Sequence, residues 1–459
     1  MVGMTILTSF AAVAVAVMAL APVQAEPAAD LAGVWEGRLS AGGQSIRIVF
    51  RVDATGNAVM DSPDQGARNI AVERPTLAGG VVRFVVPVLR GQYEGTRSDD
   101  GQTLTGVLSQ GGATLPLILT RTAATATLAA RPQTPAPPFP YRSEAAAIDN
   151  AAAPGVRLAG TLTLPVGDGP FPAAILISGT GPQDRDETIE GHKAFAIWAD
   201  VLTRRGVAVL RHDDRGVAAS TGNYGAATQR DFASDVKAAF DWLAARPDID
   251  PSRIGLIGHS EGASFAYLAM DGGLRPAWLV TLAGPAVSGG EIIQEQQRRI
   301  AVAAGLPPEE VERTNALQRR AVAAVAANAG DAEATRREVE ALLLATGRTP
   351  QEAAQVAAVM SSAWYRGMIV HDPAESIRTV HVPMLAIYGG KDVQVPADQN
   401  TPVITRLKPD AEVVVLPGLN HLFQPAGTGL MDEYGEIETT LDPSVIRTVV
   451  DWVAVRSGL

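Results

Sequence analysis

The sequence predicts an α/β region with a mostly parallel sheet flanked by helices, enlarged by a helical insertion and preceded by a small all-β domain. Three observations carry this. From residue 143 onward, apolar runs of four to seven residues alternate with segments of helical period, and strands that are apolar throughout must be buried on both faces by helices. From residue 30 to 122 the period is two, with turn signals between runs. Between them, residues 123–142 are rich in Ala, Thr and Pro, including Arg131-Pro132-Gln133-Thr134-Pro135-Ala136-Pro137-Pro138-Phe139-Pro140. Proline at that density favours extended chain and reads as a semi-rigid linker.

The 459 residues are 46% hydrophobic with a formal net charge of -11 and no cysteine. Such a chain can bury cores in two or three domains. The missing Cys excludes disulfides, thiolate metal sites and thiol nucleophiles. The 49 acidic against 38 basic residues argue against a nucleic-acid partner, which needs Lys and Arg to displace phosphate counterions.

Residues 1–25 carry no charged side chain; an apolar run from Ile6 to Leu20 precedes Ala21-Pro22-Val23-Gln24-Ala25. Small residues at positions -3 and -1 before Glu26 read as a signal-peptide cleavage site, placing the mature chain in the periplasm or outside the cell. The lack of Lys or Arg before the apolar run leaves an uncleaved anchor as the alternative. No later stretch reaches the roughly 18 apolar residues of a membrane span, so no stable membrane insertion is expected after cleavage.

In the β domain, the runs Ile46–Val52, Val81–Val86 and Thr103–Leu108 are separated by Ala54-Thr55-Gly56-Asn57, Ala78-Gly79-Gly80 and Asp99-Asp100-Gly101. They predict antiparallel strands in a small barrel or sandwich. The opening Gly33-Val34-Trp35-Glu36-Gly37 resembles the start of small lipocalin-like domains that precede catalytic domains in exported bacterial hydrolases.

In the α/β region, strands are predicted at Ala173–Ile177, Val207–Leu210, Ile254–Ile257 and Trp278–Leu282. Helices are predicted over 193–204 and 230–245 and from Glu261. Residues 290–374 are Ala-, Glu- and Arg-rich with helical spacing and no strand-like run, which marks the insertion. Strands resume at Met384–Tyr388 and Glu412–Leu416, and a last helix covers 443–455.

Gly258-His259-Ser260-Glu261-Gly262 places Ser260 in a G-x-S-x-G turn between a strand and a helix. The glycines permit a turn sharp enough to lift the Ser hydroxyl above the sheet, where the next N–H, that of Glu261, can bind an oxyanion. A serine needs a base held in the right tautomer by a carboxylate, and in this arrangement the acid and then the His follow the Ser. Of six histidines only His421 lies in a loop directly after a late strand; Asp392 occupies the loop after the strand before it. The candidate triad is Ser260, Asp392 and His421. A second oxyanion donor is expected in the small-residue loop Ser178-Gly179-Thr180-Gly181 after the first parallel strand, at Thr180, with Gly179 or Gly181 as alternatives. Asp213-Asp214-Arg215-Gly216 lacks a third ligand at metal spacing and reads as a salt-bridged structural loop. Trp364, Tyr365 and Phe423 read equally well as acyl-pocket walls or as core.

Gly179-Thr180-Gly181-Pro182-Gln183-Asp184-Arg185-Asp186, Asp213-Asp214-Arg215-Gly216-Val217 with Ser220-Thr221-Gly222, Gly258-His259-Ser260-Glu261-Gly262, Gly389-Gly390-Lys391-Asp392 with Val395-Pro396, and Asn420-His421 together resemble exported bacterial serine esterases of the α/β-hydrolase superfamily. The resemblance runs from about Val156 to the C-terminus. It implies an α/β-hydrolase fold, a Ser260–Asp392–His421 triad, and a small-molecule ester substrate with short to medium acyl chains. It also implies no cofactor and no metal. Two positions depart from it: Ser178-Gly179 stands where the family often has His-Gly, and Ser362-Ala363-Trp364 where it often has Ser-Pro-Trp. The rival expectations are a peptidase, amidase or thioesterase of the same superfamily and, from another class, a non-catalytic hydrolase-like binding protein. The short N-terminal domain, without a visible seven-fold repeat, argues against the propeller-gated oligopeptidases.

Overall fold

The structure, a computed structural model, describes residues 31–122 apart from 42–43, 54, 63–66, 90 and 111–112, and residues 131–459 without a gap. The predicted leader, residues 1–25, and residues 123–130 of the predicted linker lie outside the described residues. The chain divides into two compact units, Met1–Ala130 and Arg131–Leu459.

The first unit is one antiparallel sheet of nine strands: β1 (Gly33–Ala41), β2 (Gln44–Val52), β3 (Ala58–Ser62), β4 (Ala67–Val72), β5 (Thr76–Ala78), β6 (Val81–Val86), β7 (Gly91–Arg97), β8 (Thr103–Gln110) and β9 (Ala113–Thr122). Their order across the sheet is 4-3-2-1-9-8-7-6-5. Alternation does what the period-two pattern requires: Val82, Phe84 and Val86 of β6 point inward while Arg83 is exposed. Inward residues of distant strands meet, Phe50 of β2 stacking on Phe84 of β6 with ring centroids 4.3 Å apart. Beyond the end of β4, the Glu73 N–H donates to the Val85 carbonyl of β6 at 2.9 Å. The sheet therefore curls around a single core, barrel-like, rather than forming the two packed layers of a sandwich. Two buried aromatic side chains satisfy their polar groups within this unit: Trp35 Nε1–H donates to Leu31 O at 2.8 Å and the Tyr93 hydroxyl to Leu104 O at 2.9 Å.

The second unit begins at Arg131, ahead of the predicted start at 143. The described part of the proline-rich stretch is bound to this unit at Arg131, Gln133 and Tyr141. Arg131 Nη2 donates to Glu190 O at 2.9 Å, the Gln133 amide brackets Leu441 by donating to its O at 2.7 Å and accepting from its N–H at 3.0 Å, and the Tyr141 hydroxyl donates to Asp200 at 2.8 Å. Proline leaves the carbonyls and side chains of its neighbours free to bond, so an extended proline-rich segment can lie on a surface as well as span a gap.

An eight-stranded sheet forms the core of this unit: β10 (Arg142–Asp149), β11 (Arg157–Leu164), β12 (Phe171–Ile177), β15 (Ala208–His212), β16 (Ile249–His259), β17 (Leu279–Leu282), β18 (Met384–Gly389) and β19 (Glu412–Leu416), in the order 10-11-15-12-16-17-18-19. Between β12 and β15 lies a two-stranded ribbon, β13 (Thr188–Ile189) and β14 (His192–Lys193). β10 and β11 form an antiparallel hairpin and β11 pairs antiparallel with β15; every other pairing is parallel. The periodicity missed β10 because it is an edge strand, Arg142-Ser143-Glu144-Ala145-Ala146-Ala147-Ile148-Asp149, whose pattern of Ala and charge holds a single β-branched residue, Ile148. Helices α1 (Ala194–Arg204), α2 (Gln229–Ala244), α3 (Glu261–Asp271), α10 (Ala397–Leu407) and α11 (Pro443–Arg456) flank the sheet. Two apolar cores, one on each face, explain why β12, β16, β17 and β18 read as continuous apolar runs.

The insertion comprises α4 (Gly289–Ala303), α5 (Pro308–Ala327), α6 (Ala332–Leu344), α7 (Pro350–Met360), α8 (Ala363–Val370) and α9 (Ala374–Thr379), all between β17 and β18. Its start is fixed by a capping box, Ser288 with Glu291, and α7 carries another, Thr349 with Glu352. It has its own core, centred on Val325, Val339, Ala353 and Ala357. Among the described residues no helix is long and apolar enough to cross a membrane.

Candidate active site

Because β12, β16, β18 and β19 run parallel, the loops that follow them emerge at one edge of the sheet. Thr180 follows β12, Ser260 follows β16, Asp392 follows β18 and His421 follows β19. Residues far apart in sequence thus share the C-terminal edge, where ligands of α/β sheets bind.

Ser260 sits between β16 and α3 with φ 52° and ψ -124°, a left-handed backbone that costs about 1–3 kcal/mol for a residue with a Cβ. The glycines on either side permit it. A Cβ on Gly258 would lie 2.7 Å from Ala263 N, and one on Gly262 2.2 Å from Ile177 O. The turn is pinned by the Ser260 N–H, which donates to Leu282 O at 2.8 Å. Ser260 itself remains partly exposed.

Asp392 and His421 are brought together: Asp392 Oδ2 is 2.7 Å from His421 Nδ1, and both residues are buried. The other oxygen, Oδ1, accepts the N–H groups of Gln394 at 2.7 Å and Val395 at 2.9 Å, so the carboxylate cannot rotate freely. The histidine loop is held by Asn420, fully buried, whose Oδ1 accepts the N–H groups of Leu422 and Gln424 at 3.0 and 2.9 Å.

The oxyanion loop separates its three candidates. The Gly179 N–H donates to Glu187 Oε1 at 2.9 Å and the Gly181 N–H to the Tyr224 hydroxyl at 3.0 Å. Among the described residues the N–H groups of Thr180 and Glu261 have no such acceptor. The two residues are also joined, the Thr180 hydroxyl donating to Glu261 Oε2 at 3.0 Å. Glu261 further accepts from Gln229 Nε2 at 3.2 Å and from Trp364 Nε1–H at 3.1 Å. Its burial pushes the carboxyl above the usual range, against these donors, which favour the ionised form. Trp364 belongs to α8, so the insertion reaches the residue next to Ser260. Tyr365 packs in the core of the insertion, and Phe423, 1% exposed, belongs to a sheet core rather than a pocket wall.

Ser178, where the resembled family often has His, donates through its hydroxyl to Asp214 at 2.7 Å, while Asp214 Oδ2 accepts the Gln183 N–H at 3.0 Å. One carboxyl therefore ties both ends of the segment that carries Thr180. Its neighbours are ion-paired as a structural loop: Arg185 with Asp213 at 2.6 Å, and Arg215 with Asp235 at 2.7 Å, both oxygens of Asp235 being used. Burial pushes Asp214 up to about 7, with the charges of Glu187 and Asp235 acting in the same direction. The folded protein therefore holds this proton to a higher pH than the unfolded chain, and the stability it contributes is complete below the unfolded value near 3.8 and lost as pH rises through about 7. Asp214→Asn keeps an acceptor for Gln183 and a donor for Ser178 without the charge. Its melting temperature is expected to fall less than that of the wild type between about pH 5.5 and 8.5; parallel curves by scanning calorimetry would remove Asp214 as the cause.

Sequence reasoning passed over His259 and Glu187. His259 Nδ1 lies 2.8 Å from Glu187 Oε1 and Nε2 3.1 Å from the main-chain O of His421, and the two imidazoles are 4.9 Å apart. His259 was visible as the variable position before Ser260, but nothing local pointed to Glu187, which a loop brings back over the sheet. Among the described residues no group of three or more His, Asp or Glu could hold a metal ion.

Over 299 residues the chain is 27% identical to Esterase EstD of Thermotoga maritima, covering 64% of this chain and 65% of that protein, so it spans just under two thirds of that relative. An uncharacterized protein of Mycobacterium tuberculosis, MT2364, is 26% identical over 271 residues, 58% of this chain and 69% of its own length. Among solved structures, the α/β hydrolase GrgF from Penicillium sp. sh18 aligns at a TM-score of 0.45 with 16% identity, covering 69% of this chain and all of that one. The profile of the X-Pro dipeptidyl-peptidase (S15) family matches residues 154–422. With that match covering more than half of the sequence, the chain belongs to the X-Pro dipeptidyl-peptidase (S15) family, and its second unit has the α/β-hydrolase fold.

Proposed function

We propose that the protein is a serine esterase that cleaves carboxylic esters of short to medium acyl chains through an acyl-enzyme. The observation that carries this reading is the 2.7 Å Asp392–His421 pair at the same sheet edge as the strained Ser260 turn. Ser260 Oγ attacks the ester carbonyl carbon while His421 Nε2 takes its proton. Asp392 holds Nδ1–H and stabilises the imidazolium. The N–H groups of Thr180 and Glu261 receive the charge that develops on the carbonyl oxygen, assisted by the N-terminus of α3. His421 then protonates the departing alcohol, and water, activated by the same imidazole, releases the acid and restores Ser260. Every step uses oxygen and nitrogen groups of this chain.

The likeness to Esterase EstD supports esters, while the description of the family supports a second reading, cleavage of an amide after an X-Pro dipeptide. The two separate in a panel of p-nitrophenyl butyrate, a butyryl thioester and an aminoacyl-prolyl p-nitroanilide. The ester is expected to give a kcat/KM at least about 100-fold above the anilide; the reverse ranking would make the protein a peptidase. Export through the leader is part of the proposal, and N-terminal sequencing of the mature chain should begin at Glu26.

A further inference from the structure

His259 takes no part in the chemistry proposed above, yet it is buried at 5% exposure with both ring nitrogens engaged. Nδ1 faces the Glu187 carboxylate at 2.8 Å and Nε2 faces the His421 main-chain carbonyl at 3.1 Å. With Glu187 ionised, neither partner has a hydrogen to offer, so both ring nitrogens donate and the ring is an imidazolium. Burial by itself lowers the pKa of this histidine, but the Glu187 charge and hydrogen bond outweigh it and leave the pKa raised. The same Glu187 oxygen also accepts the Gly179 N–H at 2.9 Å. Glu187, 2% exposed, has a left-handed φ of 49°, a conformation that persists only where surrounding contacts enforce it.

These bonds form one chain, Gly179 N–H to Glu187 to His259 to the carbonyl of His421. It joins the oxyanion loop to the histidine loop through the residue preceding Ser260. We propose that Glu187 and His259 are a positioning pair, an ion pair that fixes the main chain of His421 and the Gly179 end of the oxyanion loop against Ser260. The proposal rests on Ser260 and His421 being nucleophile and base. Charge-assisted bonds are stiffer than neutral ones, and both loops must be placed to within a fraction of an ångström for proton transfer and oxyanion binding to coincide. The pair therefore acts on turnover rather than on substrate affinity.

Two substitutions of His259 divide its two bonds. In His259→Gln the amide nitrogen takes the place of Nε2 and still donates to His421 O; in His259→Asn it takes the place of Nδ1 and reaches only Glu187. His259→Asn is expected to lower kcat on p-nitrophenyl butyrate about 100-fold with KM within about threefold, while His259→Gln, which keeps the bond to His421 O but loses the ion pair, falls only about tenfold. Glu187→Gln keeps an acceptor for Gly179 but withdraws the charge, lowering kcat about tenfold; combined with His259→Asn it should add little, as residues acting in one chain do not add. Glu187→Gln with His259→Gln provides the same cycle if His259→Asn does not fold. Losses confined to KM, strictly additive losses, or equal kcat in His259→Asn and wild type would overturn the positioning pair. Activity that survives Ser260→Ala would instead overturn the nucleophile on which the pair depends.

Discussion

Ser260→Ala is expected to remove ester hydrolysis, lowering kcat by about a million-fold as in other hydrolases whose nucleophile acts as one unit with its base. The Ser260 main chain has φ 52°, and an alanine adopts it no less readily than a serine. The turn is held by the bond from Ser260 N–H to Leu282 O, which the substitution leaves in place. Fold and melting temperature should therefore be unchanged, and so should KM for any ester bound by the remaining pocket. A fluorophosphonate probe that labels the wild type should leave the variant unlabelled. Retained labelling or turnover would place the nucleophile elsewhere.

Asp392→Asn tests the orienting carboxylate separately, and the geometry fixes which way the amide must face. Oδ1 of Asp392 accepts two N–H groups, of Gln394 and Val395, so the asparagine oxygen is held there. Its NH2 group is then directed at His421 Nδ1, 2.7 Å away in the native pair. That nitrogen must become an acceptor, which moves the ring proton to Nε2, the atom that should receive the Ser260 proton. The wrong tautomer costs about 10,000-fold in kcat where this has been examined in a triad, and a loss of that order with a native circular-dichroism spectrum is the expected outcome. A loss under tenfold would mean that Asp392 does not set the tautomer. Asp392→Ala should lose comparably but also destabilise, because it strands the partly buried N–H of Gln394 and the buried N–H of Val395.

The candidate triad could be proposed from sequence because its members carry local signals. Ser260 lies between glycines at a strand-to-helix turn, Asp392 follows the apolar run of the buried strand β18, and His421 follows the apolar run of the partly exposed edge strand β19. Thr180 was harder to single out. Its neighbours Gly179 and Gly181 are equally small, and only the acceptors Glu187 and Tyr224, contributed by other loops, engage their N–H groups and leave that of Thr180 without one. The proline-rich stretch misled for a related reason: composition reports that a segment is extended, and not whether Arg131 and Gln133 have partners some 300 residues away.

The sequence by itself determined the class of fold, the small all-β unit, the parallel sheet with its helical insertion, and the order of the candidate serine, acid and histidine. These follow from periodicity and turn chemistry, which act over a few residues. Only the tertiary structure decided the network behind those residues: Asp214 spanning the oxyanion loop, Trp364 of the insertion on Glu261, and Glu187 with His259 between the two loops. Each is a buried or partly buried polar contact whose partners come from different elements of the fold. Burial makes such contacts obligatory, but which donor meets which acceptor depends on the order of the strands across the sheet, 12-16-17-18-19, which no local pattern encodes.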